Sequence, residues 1–175
     1  MSEDKIETMS GQVCPMCNTK NMTLMEQETE IPYFGIVYMF SMTCTNCKYH
    51  KADIECKEKH EPAKYTLDVT SEEDMKIRVV KSAEATVKIP HMITMEPGTT
   101  ATGFITNVEG LLRRFKIIIE QAKENSEDKS EQKKAKNMLK KLQKVMWGQD
   151  KLKIIIEDKT GNSSIISEKA LKKNI

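Results

Sequence analysis

The sequence predicts an α+β protein in which a small cysteine-held module precedes a β-barrel or sandwich interrupted by a helical hairpin. Three observations carry that prediction. Two cysteine pairs share one spacing, Cys14-Pro15-Met16-Cys17 and Cys44-Thr45-Asn46-Cys47. Short β-branched runs, punctuated by proline and glycine, fill residues 62–103 and resume after residue 150. Between them, from about 107 to 147, apolar side chains recur every three or four positions, the period of a helix.

The cysteine pairs read as one tetrahedral metal site. A Cys-x-x-Cys turn lets both thiolates face one cation, so two such turns close a four-sulfur shell, the ligand set of structural zinc. Cys14, Cys17, Cys44 and Cys47 are the predicted ligands of one zinc ion per chain. Four thiolates leave no coordination position for an activated water, so the metal is expected to hold structure together and to catalyse nothing. A redox Cys-x-x-Cys belongs in a βαβ pattern, which is absent here. Disulfides are disfavoured because five cysteines are an odd number and Met1–Ser10 is polar and acidic, unlike a secretory signal. A reducing, cytoplasmic setting is therefore expected, with Cys56 a buried spare thiol.

Along the chain, residues 1–10 read as a flexible tail, 11–61 as the zinc ribbon, 62–167 as the β domain and 168–175 as a flexible lysine-rich tail. Within the ribbon, 22–31 and 34–43 are two strands joined across Pro32, and a third lies near 53–59. Asn18 and Lys48 each follow a cysteine pair, where the knuckle must turn left-handed. Zinc compensates for a core this small. In the β domain the strands are 65–69, 77–80, 85–89 and 92–95, with Ser71-Glu72-Glu73-Asp74 resembling a capping box. The first helix carries Val108, Leu111, Leu112, Phe115, Ile118, Ile119 and Ala122 at helical spacing behind an Asn107 N-cap. The second carries Ala135, Met138, Leu139, Leu142, Val145 and Met146, and Gly148 ends it. Strands at 152–157 and 163–166 follow, joined by a hairpin turn at Thr160-Gly161-Asn162, and they should pair back onto the earlier ones.

Composition excludes more than it selects. With 28 basic against 26 acidic side chains the formal charge is only +2, and arginine occurs at 78, 113 and 114 alone, which is poor equipment for reading phosphates or bases. No apolar run approaches the length needed to span a bilayer. His50, His60 and His91 form no constellation with a nucleophile, and there is no phosphate-binding glycine motif, so no enzyme is expected. The seven lysines of the second helix, from Lys129 to Lys144, are read first as a solvated face.

The order of parts resembles a known family, the ZPR-type zinc finger proteins of archaea and, with the module duplicated, of eukaryotes. The resemblance runs through the Cys14-Pro15-x-Cys17 knuckle, Ile31-Pro32-Tyr33-Phe34-Gly35, Cys44-x-x-Cys47, Val79-Val80-Lys81-Ser82, Ile89-Pro90, Asn107-Val108-Glu109-Gly110-Leu111-Leu112 and Gly161-Asn162-Ser163. A single copy is similar to the archaeal form. The resemblance implies a zinc ribbon followed by a double-stranded β-helix domain with an inserted helical hairpin. It also implies a non-enzymatic adaptor or folding factor that binds translation elongation factor 1-alpha. On that reading Tyr33, Phe34, Glu109, Gly110, Gly161, Asn162 and Ser163 are candidate partner-binding residues. Each has a structural alternative: hairpin packing for Tyr33 and Phe34, a capped helix start for Glu109 and Gly110, a turn for Gly161, Asn162 and Ser163. The competing function is a nucleic-acid-binding ribbon using the lysines.

Overall fold

A computed structural model describes residues 5–175. The ribbon is a four-stranded antiparallel sheet of β1 (Lys5–Gln12), β2 (Met22–Ile31), β3 (Gly35–Cys44) and β4 (His50–Cys56), paired in that order. The β domain has two further sheets. One takes β5 (Ala63–Val69), β7 (Thr86–Ile89), β8 (Ile93–Met95), β10 (Leu152–Asp158) and β12 (Leu171–Asn174) in the order β12-β5-β10-β7-β8. The other is β11-β6-β9, formed by Ser164–Ile166, Arg78–Lys81 and Phe104–Asn107.

Strand β10 is the spine of the larger sheet. Ile154 pairs with Leu67, and Ile156 pairs with Tyr65 on one side and Val87 on the other. Leu152, Ile154 and Ile156 point inward and are buried. On the outer face Glu157 takes Lys64 at 2.8 Å and Lys88 at 2.7 Å. Two-residue alternation thus resolves the run Ile154-Ile155-Ile156. The helices α1 (Val108–Asn125) and α2 (Lys129–Met146) pack on this core through Leu111, Leu112, Phe115, Ile119, Leu142 and Val145. Asn107 caps α1 by accepting from the Gly110 amide at 2.8 Å. At the end of α2, Gly148 has φ +66, its amide meets the Val145 carbonyl, and Gln149 reaches back to Lys144. That double closure is a Schellman motif.

Several expectations are corrected. Residues 5–10 are not a flexible tail: they belong to β1, paired with β2 from Lys5↔Glu28 to Met9↔Leu24. Ile6 and Met9 stay exposed, so backbone pairing rather than burial holds the strand, and the apolar pattern was silent. Residues 1–4 of that expected tail lie outside the described residues. The 168–175 segment is likewise anchored: β12 pairs with β5, and Lys169 meets Asp74 at 2.6 Å. Its lysines suit an edge strand. Asp158 to Ser164 is no hairpin turn, because β10 and β11 lie in different sheets. Strand β9 precedes α1, a strand that the sequence patterning did not announce. The 71–74 motif opens a single 3₁₀ turn at Glu73–Lys76 but not through a capping box: Asp74 accepts from the amides of Thr70 and Ser71. On α1, Ile118 and Ala122 are exposed; the buried stripe is narrower than the apolar one.

Ribbon and β domain are joined firmly at the end of the ribbon remote from the two Cys-x-x-Cys knuckles. Ile31, Val37, Ile54 and Cys56 of the ribbon share a core with Val80, flanked by Ile105 and Ile166. The outer edge of β4 is covered: the Gly103 amide donates to the Ala52 carbonyl at 2.9 Å, and the Cys56 amide donates to Asn162 Oδ1 at 3.2 Å. Asp53 Oδ1 accepts from the Ala83 amide at 2.8 Å. Covering that edge removes a site of unwanted strand pairing.

Candidate functional site

Two knuckles build the metal centre, and they are near copies of one another. In the first, Asn18 donates its amide to the Cys14 carbonyl and Cys14 to the Thr19 carbonyl, both at 2.9 Å. In the second, Lys48 donates to Cys44 at 3.1 Å and Cys44 to Tyr49 at 2.9 Å. Asn18 at φ 54 and Lys48 at φ 62 supply the left-handed step that turns each second cysteine back beside the first. The β2–β3 pairing, with Met22 opposite Cys44, brings the knuckles together.

The four sulfurs lie within 4.8 Å of one another, with Cys14 to Cys47 and Cys17 to Cys44 each 3.7 Å. A zinc ion with bonds of about 2.3 Å to four tetrahedral sulfurs needs them about 3.8 Å apart. The fit is close. Hydrogen bonds from the Thr19 hydroxyl and amide, then from Asn46, hold the Cys17 thiol down at about 5. Amides of Cys47 and Asn46 lower Cys44. The Tyr49 amide favours the Cys47 thiolate too, but desolvation and the three neighbouring sulfurs push that thiol up to about 12. Four sulfurs this close cannot all ionise alone, whereas a divalent cation among them makes four thiolates favourable. Cys14, Cys17, Cys44 and Cys47 thus form one four-cysteine zinc site. Zinc would supply a cross-link there, fastening the two loop ends of a module with little core. Cys56 takes no part; it is buried in the junction core and desolvation raises it to about 11.

The remaining predicted site residues fall into three groups. Tyr33 is fully exposed at the tip of the β2–β3 loop, with φ 66. Pro32 before it and the Phe34 amide bonded to the Ile31 carbonyl at 3.0 Å make the pattern of a type II turn, whose third position favours glycine. Phe34 stacks on His60 with centroids 5.1 Å apart. Both line a cavity of about 620 Å³ with Tyr65, Ile165 and Lys172, at the meeting of ribbon and β domain.

Glu109 and Gly110 lie at the start of α1. Glu109 holds Arg113 at 2.7 Å on the surface, and both border a second cavity beside Lys116 and the exposed Trp147. A Cβ on Gly110 would stand 2.2 Å from Thr106 Oγ1.

Gly161, Asn162 and Ser163 sit inside the molecule's main joint. Gly161 has φ +76, and a Cβ there would lie 2.3 Å from the His60 carbonyl. Asn162 reaches β4, as described above. Ser163 is fully buried, donates to Asp158 Oδ2 at 2.5 Å and accepts from the Ser82 amide at 2.9 Å. Asp158 is the hub that sequence reasoning missed. It is fully buried and also accepts from Ser82 Oγ at 2.7 Å and from the Thr160 amide and hydroxyl at 2.7 and 2.6 Å. Burial opposes its charge, but Ser163, Thr160 and Ser82 outweigh it and lower its pKa. The available signal was a strand ending in Asp before a Thr-Gly-Asn-Ser turn.

Comparison with known proteins agrees with this anatomy. Residues 5–62 match the profile of the ZPR1 zinc-finger domain, and residues 73–174 match that of the ZPR1 jelly-roll domain. An uncharacterized ZPR1-like protein of Methanocaldococcus jannaschii is 35% identical, over 89% of this chain and 79% of its own length. A second, from Pyrococcus horikoshii, is 34% identical over 97% of this chain and 78% of its own. The zinc finger chaperone zpr1 of Schizosaccharomyces pombe is 31% identical over 87% of this chain, which spans only 34% of that longer protein. With both domains matched in order and single-module archaeal relatives aligned over most of this chain, the chain belongs to the ZPR1 family.

Proposed function

We propose that the protein is a non-enzymatic folding or assembly factor that binds translation elongation factor 1-alpha, using a surface that ribbon and jelly roll present together. Tyr33 carries the reading. A tyrosine held in the left-handed region costs about 1 kcal/mol relative to glycine or asparagine, and its ring is fully exposed beside an aromatic-lined cavity. An exposed aromatic anchor next to a pocket suits a protein partner. In this reading Tyr33 and Phe34 touch the partner, and Glu109 and Gly110 with Trp147 form a second contact. Gly161, Asn162 and Ser163 act from behind by fixing the angle between the domains. A relative named as a zinc finger chaperone supports a protein client. No helix among the described residues is long and apolar enough to cross a membrane.

The test is capture of purified elongation factor 1-alpha by the immobilised protein, with the yield of nucleotide-binding factor measured in its presence and absence. Tyr33→Asn, which suits the turn, should leave the fold intact and weaken capture roughly tenfold or more. Well-folded proteins that neither associate nor improve that yield would sink the proposal. Steeply salt-dependent binding to RNA instead would favour the nucleic-acid reading.

A further inference from the structure

A third cavity, about 440 Å³, opens between the loop 96–103 and helix α1. Lys81 lines it although the residue is only 2% exposed. Its ammonium donates to the Ser82 carbonyl at 2.9 Å and forms no ion pair among the described residues. The acids nearby, buried Asp158 and half-buried Asp53, are already served: Asp158 by its four donors, and Asp53 Oδ1 by the amides of Ile54 and Ala83. Burial lowers the Lys81 pKa, with Asp53, Asp158 and Glu84 pulling it back up and Arg114 lowering it further.

Arg114 stands at the same mouth. Its guanidinium carbon lies over the Phe104 ring, 4.1 Å from the centroid, and it too forms no ion pair among the described residues, whereas its neighbour Arg113 is engaged by Glu109. A cation–π contact uses none of a guanidinium's N–H donors as hydrogen bonds, so they can still meet a planar anion. Ile117 and Ile118 are one turn further along the helix from Arg114, on the same ridge. They are 54% and 38% exposed and line the cavity with Met95. A solvent-facing helix ridge is ordinarily polar; this one pairs two isoleucines with an uncommitted arginine. Among the described residues, the only acid lining the cavity is the exposed Glu96.

We propose that this cavity binds a carboxylate carried on an apolar body, with the carboxylate on Arg114 and Lys81 and the apolar part on Ile117, Ile118 and Met95. The volume falls in the range of small-ligand sites. A doubly charged phosphate would leave the isoleucine ridge uncovered, while an aliphatic acid or a glutamate flanked by leucines covers it and meets the cations at once. The site is independent of the elongation-factor reading.

Two probes separate the sources of such a group: octanoate for a free acid, and the blocked peptide acetyl-Leu-Glu-Leu-amide for a polypeptide side chain. Octanamide and acetyl-Leu-Gln-Leu-amide are their neutral counterparts. Titration of the full chain should shift the Ile117 and Ile118 methyl resonances, with dissociation constants of roughly a millimolar or below for at least one acid. The neutral counterparts should bind at least about tenfold more weakly, and Arg114→Gln, at an exposed position, should cost the acids a similar factor. Binding by octanoate alone assigns a free acid, and binding by the peptide alone assigns a polypeptide ligand. Lys81→Met removes the buried charge at nearly constant volume and should weaken the acids while sparing the amides. The proposal is overturned if amides bind as well as acids, if Arg114→Gln changes nothing, if the shifts map elsewhere, or if neither acid binds at roughly 10 mM.

Discussion

Replacing Asp158 by alanine should strongly destabilise the jelly roll, and the structure sets the size. The carboxylate accepts four hydrogen bonds, from Ser82 Oγ, Ser163 Oγ and the amide and hydroxyl of Thr160. Thr160 is exposed and can turn to water, but Ser82 and Ser163 cannot. Two stranded buried hydroxyls at about 1–3 kcal/mol each, offset by release of a buried charge, give a net loss of about 3 kcal/mol. Urea unfolding followed by circular dichroism reads it directly. With a slope of about 2 kcal/mol/M, the midpoint should fall by roughly 1.5 M. Asp158→Asn keeps the shape but turns an amide N–H₂ toward donors, so about half that loss is expected. Burial alone would raise the Asp158 pKa, yet its hydrogen bonds lower it, so its contribution is present above the unfolded value near 4 and disappears as pH falls through the folded value. An alanine variant within about 1 kcal/mol of the parent, or an asparagine variant as stable as the parent, would refute the reasoning.

Cys14→Ser or Cys44→Ser should abolish stoichiometric zinc, read by metal analysis as one ion per chain falling to none, and collapse the ribbon amide spectrum while the jelly-roll resonances persist. Gly161→Ala forces a Cβ onto the His60 carbonyl at positive φ and should cost about 2–4 kcal/mol in the same urea assay. Burial opposes the charge of Asp74, but Lys169 and the amides of Thr70 and Ser71 hold its pKa at about 2. Its folded value is depressed, so it stabilises above about pH 4 and the benefit fades towards pH 2; Lys169→Met should flatten that part of the thermal midpoint profile. Tyr33→Asn should raise stability by about 0.5–1 kcal/mol by relieving the left-handed strain, even as partner capture falls.

Much of this architecture is legible in the sequence. The cysteine spacing announced the metal shell because ligand geometry is local, and the left-handed steps at Asn18 and Lys48 followed from it. The helices were legible because their buried stripes recur with the helical period over five turns. Strand β1 was not, since its side chains stay exposed and only the β2 backbone calls it into the sheet. Strand β12 failed for the same reason. Ile118 shows the limit of periodicity, since an apolar residue at the right spacing can still border an open cavity.

The partner candidates divide along the same line. Tyr33 was singled out as an aromatic in a short loop, but only the fold shows it fully exposed in a left-handed turn. Gly161, Asn162 and Ser163 were singled out as a turn and are the joint on which two sheets and the ribbon converge.

By itself, then, the sequence announced the metal ligands, the order of modules and the helical hairpin, because each carries a pattern that repeats at short spacing. Tertiary structure alone decided the Asp158 clasp, the docking of β4 and the uncommitted charges of Lys81 and Arg114. Those features join residues as far apart as 53 and 83, 56 and 162, or 82 and 158. Local propensity does not encode such meetings; they arise when burying apolar surface brings distant polar groups into one dry place, where each must find a partner.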